Sequence, residues 1–238
     1  MSHSTAEDQA RDAAPHRAIR SFVVRGGRLT VAQERARVEL WPRYGVEFSQ
    51  HLDLGALFGR NAPRVLEIGF GNGDNLAVLA AAQPERDFIG VEVHPPGVGH
   101  LLLKAAQANL NNLRVVQHDA VEVLRESILP DSLDAILVLF PDPWHKKRHH
   151  KRRLVSRAFA ELAASRLKPG GTLQLATDWT PYAEWMLDTL NATPGLRNCS
   201  PEGRYMPRNP TRITTRFERR GERLGHAVHD LCYERVSP

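Results

Sequence analysis

The stretch LEIGFGNGDNL, residues 66–76, sets three glycines between a short apolar run and a run that favours helix. A strand, a glycine turn and a helix in that order let backbone approach a ligand closely and aim helix N–H groups at it. Outward from this unit, strand and helix patterns alternate. RVLEIGF (64–70), DFIGVEV (87–93), LRVVQHD (113–119), SLDAILVLF (132–140) and GTLQLATD (171–178) read as strands. DNLAVLAAAQ (74–83), PPGVGHLLLKAAQANL (95–110), AVEVLRESI (120–128) and LVSRAFAELAASRL (154–167, ending at KPGG) read as the helices between them. PYAEWMLDTLN (181–191) reads as a further helix with Pro181 in its first turn. Near-continuous apolar strands alternating with helices predict a Rossmann-like, doubly wound α/β fold with a mostly parallel sheet. After residue 195, TRITTRFERRGERLG and HAVHDLCYERV suggest two strands joined near Gly225. Paired antiparallel at the sheet edge, they bring the expected count to seven strands.

The 238 residues are 42% hydrophobic, enough for one sizeable core. No apolar run approaches the length of a membrane span. Residues 1–19 are polar, lack the apolar centre of a secretion signal, and are expected to form a tail. A single domain over 20–238 is expected, with 20–60 as an N-terminal extension over part of the core or site. Thr30-Val-Ala-Gln33 within it fits a helix-capping box. The two cysteines, Cys199 and Cys232, form no CxxC pair, and no His/Cys cluster has metal-finger spacing. A reducing cytoplasm and no resident metal are therefore expected.

The glycine loop carries acids around it. Gly69 and Gly71 fit the start of a GxGxxG dinucleotide turn, but Asp74 stands at its last position, and no GK[ST] follows. Glu92 ends the second strand, 19 residues after Gly73, where a carboxylate can bond both hydroxyls of a ribose. Asp119 ends the third strand and could accept from an adenine amino group, or simply cap the following helix. Glu67, beside the glycines, could receive an ammonium group or be a buried structural acid. Three acids repel a pyrophosphate and suit a cationic nucleoside bearing an amino acid, which is the chemistry of S-adenosylmethionine.

A second stretch, LFPDPWHKKRHHKRRL (139–154), follows the fourth strand. Positions 145–153 are all His, Lys or Arg, with six Lys/Arg and no acid, so the basic excess of a chain of net charge +5 is concentrated there. A local polyanion surface follows, with nucleic acid the favoured partner over a plain solvated charge run. Asp142, between two prolines, opens at the same sheet edge as the cofactor acids. Trp144 offers a face for base stacking or for packing.

GFGNGDNL, GVEVHPPGVG, LFPDPWHKKRHHKRRLV, ATDWTPYAEWM and TRFERRGERLGHAVHDLCYER together resemble the bacterial tRNA (guanine-N7)-methyltransferase family. SFVVRGGRLTVAQERA and WPRYGVEF are similar to its N-terminal segment, so the resemblance covers roughly residues 20–236. It implies a class I methyltransferase fold, S-adenosylmethionine as cofactor and guanine-46 of tRNA as target. It implies action in the cytoplasm as monomer or homodimer, with no membrane and no obligate protein partner. By residue, it implies Glu67, Glu92, Asp119 and Asp142 for the cofactor, with Asp142 also catalytic. Lys146, Asp178 and the run Thr215, Arg216, Phe217 and Glu218 match substrate-binding positions. Arg148, His149, His150, Lys151, Arg152 and Arg153 match the stretch that contacts RNA. Arg216 stands where the family often has Lys, and His149 and His150 are expected to be partly charged. The competing readings are a same-fold methyltransferase for another RNA or for protein, a non-catalytic RNA-binding module, and an NAD-dependent reductase.

Overall fold

A computed structural model describes residues 20–23, 28–214, 218–219, 225 and 227–237. The first described helix, α1 (Val31–Tyr44), starts at the Thr30 box: Thr30 Oγ1 accepts from Gln33 N at 3.3 Å and Gln33 Oε1 from Thr30 N at 2.8 Å. It leads into the two-residue strand β1 (Gly45–Val46) and the short helix α2 (Leu54–Phe58), capped by Asp53 and closed by Gly59 at φ 67°. The alternating body follows as β2 (Arg64–Ile68), α3 (Asp74–Ala82), β3 (Asp87–Val91), α4 (Pro95–Gln107), β4 (Leu113–Val116), α5 (Ala120–Glu122), β5 (Leu133–Leu139), α6 (Arg157–Arg166), β6 (Leu167–Thr177) and α7 (Thr180–Asn191). Strands β7 (Leu196–Asn198) and β8 (His229–Arg235) complete it.

The eight strands lie in the order β1-β4-β3-β2-β5-β6-β8-β7. All neighbours are parallel up to β6, and β8 pairs antiparallel with β6 and β7. Side chains of one strand divide between two cores. In β2, Leu66 and Ile68 join α6 and α7 residues such as Phe159 and Met186, while Val65 joins Leu76, Leu79 and Leu101 of α3 and α4. Register levels the strand ends: Ile68 pairs Val91 and Val138, Val91 pairs Val116, and Leu139 pairs Ala176. Because β3 and β5 lie on opposite sides of β2, the chain order reverses there, which opens a crevice at the carboxyl edge.

Four expectations are corrected. Among the described residues the sheet has eight strands, because Gly45 and Val46 pair with Val115 and Val116 in a strand too short to leave a pattern. The 120–128 helix is one α-turn that widens into a π turn over Val123–Ser127. Helix α6 starts only at Arg157, since Ser156 caps it, and β6 starts at Leu167, before KPGG, through a register shift opposite Leu133 and Ala135. The edge partner of β8 is β7, and the described residues 211–214 do not pair with it. Thr211–Thr214 form turn and loop, and Glu218 and Arg219 are helical; most of 215–225 lies outside the described residues. The guanidinium of Arg212, a residue 5% exposed, turns inward to Asp230, and the Asn209 side chain caps a turn at Thr211 N, so the described residues 211–214 do not form an edge strand. Among the described residues no helix is long and apolar enough to cross a membrane.

Candidate active site

After β2 the chain passes Gly69, Gly71 and Gly73 at φ 68°, 58° and 72°, a left-handed path that only glycine takes without strain. The turn is tied to β3. Gly69 N donates to Val91 O at 2.8 Å, and Gly71 N to Glu92 Oε2 at 2.9 Å. Glu92 Oε1 accepts from Val93 N and His94 N at 2.7 and 2.9 Å. Glu92 therefore shapes the loop while lining a cavity of about 240 Å³ at the crevice, with Gly69, Gly71, His118, Phe140 and Asp142 among its walls. Ser21 and Phe22 of the N-terminal segment close one side.

Glu67 points away from Leu66 and Ile68, beneath α3, and is 3% exposed. Asn75 Nδ2 donates to its Oε2 at 3.1 Å. Burial pushes the carboxyl up to about 7; the Asn75 bond opposes this, and the nearby Glu92 charge adds to it. Among the described residues no ion pair meets this buried acid, and a buried carboxylate of this kind suits a positive ligand group. Asp119 caps α5, accepting from Val121 N at 2.9 Å, and faces an adjoining cavity of about 310 Å³ shared with Arg20, Lys151 and Arg152. Its neighbour His118 lines the glycine-loop cavity instead. The His118 ring stacks on Phe48 at 3.8 Å, and its Nε2 lies 2.6 Å from Glu122 Oε2. The i,i+4 spacing of His118 and Glu122 was the only sequence sign of this residue; Phe48 gave none.

Asp142 rides on a strained turn. Phe140 and Trp144, on either side, hold φ of 52° and 47°, and Phe140 N is anchored to Ala176 O at 2.8 Å. Non-glycine residues stay in this region only where surroundings enforce it, most often at functional sites. Trp144 is packed: its Nε1 donates to Ser21 O at 3.1 Å and Arg152 lies 5.2 Å over its ring. Asp178 follows the end of β6, placing it on the same sheet edge.

The basic run forms a 3₁₀ turn over Lys147–Arg152, with Lys146 just before it. Lys146, Lys147, Arg148 and Lys151 are exposed. The run is not uniformly exposed. Arg153 is 5% exposed, with Nε donating to Pro143 O at 3.1 Å and its guanidinium 4.9 and 5.2 Å from the Tyr182 and Trp185 rings. It braces the Asp142 turn instead of facing outward. Burial and the charges of Arg148, Arg152, Lys146 and Lys151 hold the His149 imidazole below its usual pKa.

Thr215, Arg216 and Phe217 lie outside the described residues. Glu218 is 1% exposed, and Arg212 and Arg208 donate three bonds to its carboxylate at 2.5 to 3.0 Å. Burial would raise its pKa, but those bonds outweigh it and hold the acid ionised. Glu218 thus anchors its segment.

A family model described as "Putative methyltransferase" matches residues 61–231. The chain is 55% identical over 232 residues to a tRNA (guanine-N(7)-)-methyltransferase of Stutzerimonas stutzeri, covering 97% of each. It is 57% identical over 220 residues to one of Halorhodospira halophila, covering 91% of this chain and 95% of that one. Among solved structures, the 16S rRNA methyltransferase KamB superposes with a TM-score of 0.59 at 19% identity, covering 80% of this chain and 96% of that one. A 16S rRNA (adenine(1408)-N(1))-methyltransferase from Catenulisporales acidiphilia gives 0.53 at 20%, covering 76% and 89%. The structural likenesses speak to the fold; the sequence identity, near-complete in extent, establishes that the chain belongs to the bacterial tRNA (guanine-N7)-methyltransferase family.

Proposed function

We propose that this chain transfers the methyl group of S-adenosylmethionine to N7 of guanine-46 in the variable loop of tRNA, acting in the cytoplasm as monomer or homodimer without an obligate protein partner. The observation that carries this reading is the seat of Asp142. It lines the glycine-loop cavity, and the exposed cations of 146–151 begin four residues later. The residues fit the cofactor. The glycine turn leaves room for backbone contact, Glu92 has lone pairs beyond those it gives the loop, and the buried Glu67 carboxylate has no ion-pair partner among the described residues.

In this reading Glu67 takes the cofactor's ammonium, Glu92 its ribose hydroxyls, and Asp119 its adenine amino group. When bound, the cofactor supplies a sulfonium methyl group that a lone pair can take in line. Guanine N7 carries such a lone pair and no proton, so the chain need not supply a strong base, and its task is positioning. Asp142 stabilises the positive charge that develops on the guanine, and with Asp178 accepts from its N1–H and amino group, which selects guanine over adenine. Lys146 and the segment 215–218, anchored through Glu218, complete the substrate side. Lys147, Arg148 and Lys151 hold phosphates without reading sequence.

The test is incubation of unmodified tRNA with the protein and methyl-labelled S-adenosylmethionine, followed by nucleoside analysis. Label in 7-methylguanosine is expected. Label in another nucleoside, or in protein alone, refutes the assignment.

A further inference from the structure

The antiparallel register of β7 on β8 pairs Leu196 with Arg235, Arg197 with Glu234 and Asn198 with Tyr233. One step further it sets Cys199 opposite Cys232, and Cys199 N donates to Cys232 O at 2.9 Å. Both cysteines are free thiols and partly exposed. Residues directly opposite in an antiparallel pair point to the same face, and a hydrogen-bonded pair holds its Cα atoms about 5.5 Å apart. That separation lies inside the range of about 4.4–6.8 Å that a disulfide spans. In β8 the flanking Leu231 and Tyr233 enter the core with α6 and α7. Both sulfurs therefore sit on the other face, where Cys232 lines a cavity with Gln174 and Asp230. The pair also has a definite place in the chain. Met206 N donates to Asp230 O at 2.8 Å, so residues 199–206 leave β8 at Cys232 and return to it at Asp230. The two cysteines stand at the neck of that loop, which brings the Tyr205 ring to 4.6 Å from the His229 ring.

We propose that Cys199 and Cys232 form a modification site, a dithiol that closes reversibly to a disulfide by exchange with a small disulfide such as oxidised glutathione. Cys199 attacks first. Burial, a hydrogen bond with the Cys199 side chain and the charges of Cys199 and Glu234 push the Cys232 thiol up to about 12, which makes it the poorer nucleophile at neutral pH. The Cys199 thiolate bonds to one glutathione sulfur, and the other glutathione leaves as thiolate. The Cys199 sulfur, now in a mixed disulfide, carries no charge, which removes one of the causes that hold the proton on Cys232. Cys232 then gives its proton to solvent and attacks the Cys199 sulfur, and the second glutathione leaves as thiolate. The protein's two thiols are oxidised to one disulfide while one small disulfide is reduced to two thiols. The new bond ties the neck of the 199–206 loop and clamps the three-residue strand β7 to β8. A reducing compartment keeps the pair open, and a rise in oxidised glutathione closes it.

The test incubates the folded, reduced full chain with oxidised glutathione, traps the remaining thiols with N-ethylmaleimide, and reads intact mass and linked peptides. In the wild type both thiols should become unreactive and the mass should fall by two hydrogens. A peptide containing Cys199 should be joined to one containing Cys232, and dithiothreitol should restore both thiols. Amide exchange in residues 200–205 should slow by about threefold or more in the oxidised form. Cys232→Ser should stop at the glutathione adduct on Cys199, whereas Cys199→Ser should keep its thiol over the same time. Persistence of both thiols in excess oxidised glutathione, a wild-type adduct that does not resolve, or disulfides formed only between chains overturns the proposal. An adduct in Cys199→Ser with none in Cys232→Ser overturns the order of attack. If either variant does not fold, the wild-type mass and linked peptides decide alone.

Discussion

Glu67→Gln should stabilise the protein at alkaline pH while removing its cofactor affinity. Glu67 is 3% exposed, and Asn75 donates to it at 3.1 Å. Its carboxyl is raised from 4.5 to about 7, chiefly by burial. A folded-state value above the unfolded one means that the stabilising contribution is complete below pH 4.5, where both states are protonated. It is lost as pH rises from there through about 7, because the unfolded chain releases its proton first. At about 1.4 kcal/mol for each pH unit of that interval, ionised Glu67 destabilises the ligand-free fold by roughly 3 kcal/mol. Glutamine keeps the shape and the acceptor for Asn75 but cannot ionise. Urea unfolding of both proteins should give nearly equal stability at about pH 4.5 and an advantage of roughly 2–3 kcal/mol for the variant at about pH 8. S-adenosylhomocysteine should then stabilise only the wild type. Parallel stability curves across this range would refute the claim that Glu67 is a strained acid held for a cation.

Asp142→Ala should lose at least about a hundredfold in turnover while S-adenosylhomocysteine affinity changes little, since an electrostatic partner of the developing charge is removed; a tritiated-methyl assay showing equal rates would sink the role. Neutralising Lys146, Lys147 and Arg148 together should weaken tRNA binding and flatten the slope of log affinity against log salt by about 2, at roughly 0.7–0.9 per phosphate contact. An unchanged slope would place the RNA elsewhere. Arg153→Ala should lower stability by roughly 1–2 kcal/mol, because it strips a buried cation from two aromatic faces and from Pro143 O, whereas Lys151→Ala should stay within about 0.5 kcal/mol. Thermal unfolding separates the two, and equal midpoints would contradict the bracing role of Arg153.

Features encoded by local pattern were legible in the sequence. The apolar strands 64–70 and 132–140, the glycine turn and the Thr30 box depend on neighbours a few residues apart, and they lie where the pattern placed them. The acids at the strand ends could be placed at one edge because parallel register follows from the βαβ alternation. Features set by distant partners were not legible. Arg153 reads as one more cation in a run, and only the approach of Tyr182 and Trp185 from α7 makes it a brace. Glu218 reads only as matching a substrate-binding position, and its burial under Arg212 and Arg208 leaves no local pattern in TRFER. His118 gained its place from Phe48, 70 positions away on an irregular segment. The β7–β8 pairing was misread because a three-residue strand leaves almost no periodicity, while 211–214 alternates yet forms turn and loop.

The central claim is that the sulfonium methyl reaches N7 of one guanine in tRNA, and chain cleavage tests it at nucleotide resolution. Borohydride reduction followed by aniline breaks RNA at 7-methylguanosine. Unmodified tRNA treated with the protein and S-adenosylmethionine should be cut once, at guanine-46 of the variable loop, and tRNA treated with Asp142→Ala should remain almost intact. Methyl incorporation without cleavage, or cleavage at another guanine, would contradict the account.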